Sequence, residues 1–215
     1  MNLNKQLIAI VVLAILYTVG IVGTLFYSDS LLALTPINLL VGAALVFWNH
    51  KSLNTNFVFY ALVVFIAGFF VELLGINTGK IFGQYFYGNN LGVMLWDVPL
   101  VIGLNWLVLS YATMCLVQPL SVKISVKWQP FVLAFISALG MVMVDALIEP
   151  LCQRLDFWYW RGSIAPLENY TAWFMFSFAF NFLGFKLNVA ENNQVAKAIL
   201  LAQVVFFTSL NIWLV

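Results

Sequence analysis

Glu72 stands at the end of more than a dozen mostly apolar residues, and small residues flank it at helical spacing. Gly68 lies four positions before it and Gly75 three after, so all three share one helix face. Glycine on both sides removes bulk and lets another helix or a ligand approach the carboxylate. One reading is a small-residue helix contact with a single polar pair. The other is a functional acid, because an ionisable group inside an apolar span is costly and marks a candidate site. Asp145 and Glu149 are four apart and also share a face. Like charges at that spacing repel, and in a low dielectric one of the two keeps its proton. A carboxyl protonated near neutral pH is a usable general acid. The alternative is that Arg154 or Arg161 neutralises the pair as a structural cap.

Aromatic and amide side chains cluster near these acids in the chain. Gly79, Tyr85 and Tyr87 follow Glu72, and Asn105 and Trp106 open the next apolar run. Trp158, Trp160, Asn169 and Trp173 follow Glu149. Tryptophan and tyrosine belong at membrane interfaces in any case, but their ring faces also stabilise a cation. Rings around a buried acid suit a carbocation. The candidate catalytic residues are therefore Glu72, Asp145, Glu149, Asn105 and Asn169. The candidate substrate-binding residues are Gly68, Gly75, Gly79, Tyr85, Tyr87, Trp106, Trp158, Trp160 and Trp173.

The elements that must hold these residues are membrane helices. Hydrophobic residues make up 64% of the 215 and charged residues only 8%, which cannot cover a soluble surface. Runs long enough to cross a bilayer core as helices lie at 7–27, 31–48, 57–76, 98–117, 130–148, 170–187 and 195–215. The expected fold is an all-α, polytopic bundle of about seven transmembrane helices, forming a single domain over 1–215. Pro36 and Asn38 interrupt the start of the second span. The first run is too long for a signal-peptide core and reads as a retained helix. Placing the N-terminus in the cytoplasm puts Lys5, Lys51, Lys123, Lys127, Lys186 and Lys197 inside, against Lys80, Arg154 and Arg161 outside. That bias favours N-in and C-out. It also gathers Asp29, Glu72, Asp97, Asp145, Glu149, Asp156 and Glu168 at the outer end, leaving Glu191 inside. Asp29 and Asp156 read as solvated loop acids.

Several functions are excluded. A net charge of +1 gives no footprint for nucleic acid. His50, alone of its type, rules out a histidine-rich di-iron site, and the seventh span has no mid-helix lysine for a retinal Schiff base. No phosphate-binding glycine loop is present. Cys115 and Cys152 fall at opposite ends of the bundle and make no disulfide framework.

The blocks "ELLGINTGKIFGQYFYGNNLG", "VPLVIGLNW", "DALIEP" and "WYWRG…PLENYTAWF" resemble the CruF-type carotenoid biosynthesis family over about Phe57 to Leu187. The ordered Glu-x-x-Gly-x-x-Thr-Gly and Phe-Gly-x-Tyr-x-Tyr blocks are the most specific part. The resemblance implies an integral membrane hydratase that adds water to the terminal double bond of an acyclic carotenoid. No cofactor and no metal are expected. The implied partners are the carotenoid, the lipid bilayer and other enzymes of the pathway, in a bacterial or archaeal cytoplasmic membrane. Glu72 or Asp145 would give the proton, the other or Glu149 would hold water, and Asn105 and Asn169 would orient them. The chemistry leaves two rivals: a cyclase that starts with the same protonation, and a transporter or binding protein that uses the same acids.

Overall fold

The structure, a computed structural model, describes residues 3–26 and 29–214. Seven α-helices carry it: α1 (Leu3–Phe26), α2 (Thr35–Trp48), α3 (Thr55–Thr78), α4 (Val101–Val117), α5 (Gln129–Ile148), α6 (Leu167–Lys186) and α7 (Gln194–Leu214). Tyr27 and Val215, ends of two expected spans, lie outside the described residues, as does the side chain of Asp29. The second expected span divides. Asp29–Leu34 forms 3-10 turns and α2 starts at Thr35. Pro36 accounts for the break, because a ring without an N–H fits only the first turn of a helix.

Among the described residues, six helical segments are long and apolar enough to cross a membrane. α6 matches them in length but is less apolar, because it buries Asn169, Ser177 and Asn181 against its neighbours. The chain is a polytopic helical membrane bundle. Its outer surface is oil, with Leu7, Ile15, Ile37, Leu40, Leu62, Ile66, Leu139, Met143 and Leu201 all exposed, the reverse of a soluble surface. α4 is the axial helix. Nearly every residue of it is buried, and it packs on α2, α3, α5, α6 and α7. α5 pairs with α6 and α1 with α7.

Strands at one end of the bundle add an element that hydropathy does not announce. β1 (Tyr85–Tyr87) pairs antiparallel with β4 (Trp158–Trp160), in the register Tyr85 to Trp160, Phe86 to Tyr159 and Tyr87 to Trp158. Side chains alternate across a strand. Phe86 and Tyr159 therefore stack on one face, with centroids 5.2 Å apart and planes 11° apart. The other face carries Tyr85, Tyr87, Trp158 and Trp160 into the bundle. Asp156 locks this junction. Its carboxylate accepts from the Asn89 N–H at 3.0 Å and the Tyr159 hydroxyl at 2.9 Å. It is thus a loop clasp rather than the freely solvated acid expected. A separate hairpin joins β2 (Met94–Leu95) to β3 (Val98–Pro99) through Trp96 and Asp97, both at positive φ, as a two-residue turn of this kind demands.

The opposite end is tied by Glu191. Its carboxylate accepts from the Lys51 N–H at 3.1 Å and the Tyr111 hydroxyl at 3.3 Å, and lies 3.2 Å from His50 Nδ1. Burial alone would raise the Glu191 acid, but its bonds to His50 and Lys51 outweigh that and hold it below the usual glutamate range.

Candidate active site

A cavity of about 100 Å³ lies at the strand end of the bundle and extends between the helices. Ten of the sequence-derived residues line it: Glu72, Tyr85, Tyr87, Asn105, Trp106, Glu149, Trp158, Trp160, Asn169 and Trp173. α3, α4 and α6 bring Glu72, Asn105, Trp106, Asn169 and Trp173, while the β1–β4 pair brings the other rings.

Glu72 is 5% exposed and accepts three hydrogen bonds. Tyr85 donates to Oε2 at 2.5 Å, Tyr87 donates to Oε2 at 2.8 Å, and Trp106 Nε1–H donates to Oε1 at 2.9 Å. An indole nitrogen can only donate, so Oε1 is held as an acceptor. Burial, followed by the charge of Glu72, holds both phenols well above their ordinary range. They stay protonated and keep donating at neutral pH. Tyr85 packs on Tyr87 and Trp160, with centroids 5.6 and 5.1 Å apart, and Trp106 stacks on Trp173 at 4.3 Å.

The second acidic centre is bridged by an amide. The Asn169 side-chain NH2 donates to Asp145 Oδ2 at 2.8 Å and to Glu149 Oε1 at 3.1 Å. Glu149 Oε2 also accepts from Trp160 Nε1–H at 2.6 Å and Trp158 Nε1–H at 3.4 Å. Asp145 is fully buried behind Asn169, away from the cavity wall, and its Oδ1 has no protein partner. No arginine caps the pair: Arg154 reaches the Leu214 carbonyl and Arg161 the Gln84 side chain. Cys152 donates to Glu149 Oε2 at 3.8 Å, and burial and that carboxylate push its thiol up to about 12, so it stays unreactive.

The three glycines serve the frame. A Cβ on Gly68 would sit 2.8 Å from Trp106, and one on Gly75 would sit 2.6 Å from Phe82 and 3.1 Å from the Tyr85 hydroxyl. The space expected for a ligand is filled by the aromatic wall itself. Gly79 closes α3 at φ 62°, in the left-handed conformation a helix C-terminus favours. All three lie off the cavity.

Sequence reasoning also missed part of the wall. Tyr17 of α1, Asn38 of α2 and Gln203 of α7 line the same cavity. Each is a polar residue inside an apolar run, the signal that was available. Among the described residues, no group of three or more His, Cys, Asp and Glu side chains is placed to hold a metal ion.

Fold and site together define a membrane-embedded helical bundle with a small, acid-bearing, aromatic-walled chamber at one end. Residues 34–215 match the family of carotenoid biosynthesis proteins, and the chain belongs to that family. The match begins at Leu34, just before α2, and runs through α7, wider than the stretch on which the resemblance rests. No curated protein and no solved structure matches significantly. The protein therefore has a role in carotenoid biosynthesis.

Proposed function

We propose that the chain is a carotenoid hydratase, adding water across the terminal double bond of an acyclic carotenoid end. One observation carries this reading: the buried Glu72 and the half-buried Glu149 stand on the wall of an aromatic cavity, with the buried Asp145 behind it, and among the described residues that wall contains no lysine, arginine or histidine. Buried charge without a partner is expensive. The arrangement suits a neutral substrate that becomes positive during reaction. The cavity is smaller than the ~150 Å³ apolar cavity that admits benzene, so it takes the end of a polyene rather than its length.

Asp145 and Glu149 share one amide donor and have no cation, so in this setting they hold one proton between them. Glu149 lies on the wall and delivers that proton to the less substituted alkene carbon. The tertiary cation that forms faces Tyr85, Tyr87, Trp106, Trp160 and Trp173, with Glu72 as fixed counter-charge. Water captures the cation, and its surplus proton returns to a carboxylate. No electrons are exchanged with an outside partner. The carotenoid enters sideways from lipid. The cavity opens towards the outer face under the N-in, C-out orientation that the lysine bias supports, in a bacterial or archaeal cytoplasmic membrane. Association with other pathway enzymes belongs to the same reading.

The test is anaerobic turnover of lycopene by the purified full chain in 18O-labelled water. A product heavier by one labelled water supports hydration. An isomer of unchanged mass, an oxygen requirement or an unlabelled hydroxyl overturns it.

A further inference from the structure

Eight buried side-chain oxygens among the described residues lack a protein hydrogen-bond partner, and two of them belong to residues on the cavity wall. These are Asn38 Oδ1 on α2 and Gln203 Oε1 on α7. Gln203 is only 4% exposed, and the Tyr17 hydroxyl is close enough to interact with it. Leaving a buried amide oxygen unsatisfied is costly, and α2 packs against α7, so the two come from neighbouring helices. Two acceptors without a protein partner on the chamber wall call for an occupant with O–H groups to donate. The cavity has room for a water molecule beside a small apolar group.

We propose that Asn38 and Gln203 hold the water molecule that is added to the alkene. This rests on the hydratase reading and assigns its nucleophile site to α2 and α7. A water donating its two hydrogens to two carbonyl oxygens keeps its lone pairs free. In the reaction, a carboxyl O–H breaks and the alkene π pair takes its proton as a new C–H bond, leaving a tertiary cation. A water lone pair then forms the C–O bond. The oxonium O–H proton passes to a carboxylate, because an amide oxygen is too weak a base to keep it. One water is consumed, the carboxyl is regenerated, and nothing is oxidised or reduced. Asn38 and Gln203 are thus positioning residues for capture, with no part in protonation.

The experiment separates the two steps. The full chain and its Gln203→Leu and Asn38→Leu variants are each given lycopene in deuterated water. Two products are then measured: hydrated carotenoid, and unhydrated alkene that has gained deuterium. The second arises when the cation forms and loses a proton instead of being captured. In each variant the ratio of hydrated to deuterium-exchanged product should fall about tenfold, as for the loss of one well-placed hydrogen bond, while total cation formation persists. Restoring an amide through Gln203→Asn should recover part of the ratio. An unchanged ratio in both variants, or parallel loss of exchange and hydration in both, overturns the assignment. Absence of both products with the unsubstituted chain overturns the hydratase reading itself.

Discussion

Replacing Glu72 with glutamine separates the charge of this side chain from its place in the frame. The carboxylate accepts three hydrogen bonds, one of them from an indole that can only donate. In Glu72→Gln the carbonyl can turn to Trp106 while the NH2 faces the two tyrosine oxygens, which accept as well as donate. All three contacts survive as neutral bonds. A charge-assisted bond contributes ~1.5–3 kcal/mol and a neutral one ~0.5–1.5 kcal/mol, so the change weakens the three by ~3–4.5 kcal/mol together. Removal of a buried charge, itself worth several kcal/mol, offsets that loss. The variant should fold with a melting temperature within a few degrees of the parent. Its rate should fall about a hundredfold to a thousandfold, the usual cost of losing one preorganised electrostatic group. Glu72→Leu strands two phenols and an indole in a buried site, at ~1–3 kcal/mol each, and should not accumulate as folded protein. Thermal unfolding in detergent and single-turnover hydration of lycopene measure both quantities. A glutamine variant with full activity would reduce Glu72 to a scaffold residue and refute the assigned role.

Asn169→Leu removes the donor shared by Asp145 and Glu149, and the rate should fall at least tenfold with the pH–rate profile displaced; an unmoved profile counts against a shared proton. Gly88→Ala would place a Cβ 2.4 Å from the Asp156 carbonyl oxygen, so the β1–β4 junction should open, with a lower melting temperature and loss of hydration together. The Glu191 clasp predicts a pH dependence. An acid held low in the folded state adds stability above its unfolded value and loses it as pH falls through the folded one, so unfolding should become easier below about pH 4.5, and less so in Glu191→Gln. Single cysteines placed in the 79–97 and 152–165 loops should react with an impermeant reagent added to intact cells; protection of both would reverse the proposed orientation.

The helices were readable from the chain because each span is a long apolar window, and a bilayer core enforces that pattern whatever the tertiary packing. Pro36 told where the second span breaks, although its first turns proved to be 3-10. The acids were readable as candidates for the same reason: Glu72 and Asp145 are out of place in oil unless they face inward. Two things were not readable. Strands of three residues carry no periodic signal, and Tyr85 meets Trp160 only through a pairing distant in sequence. The glycines beside Glu72 announced a close approach but not its occupant, which is Trp106 and the Phe82–Tyr85 wall rather than a ligand. Tyr17, Asn38 and Gln203 were visible as polar residues in apolar spans, yet single amides are common helix-contact residues in membranes. Only their meeting in one cavity distinguishes them.

The β1–β4 pairing also dictates when the chamber can exist. Tyr85 and Tyr87 leave the ribosome well before Trp158 and Trp160, and α4 and α5 must be inserted in between. Until the segment carrying β4 is delivered, Glu72 lacks its finished enclosure and Glu149 lacks its two indole donors. A chain arrested after α5 would hold Glu72, Asp145 and Glu149 but not Asn169 or half of the aromatic wall. Biosynthesis is thereby ordered so that the three acids are in place first, and the amide that bridges Asp145 and Glu149 arrives only with the rings that complete the wall.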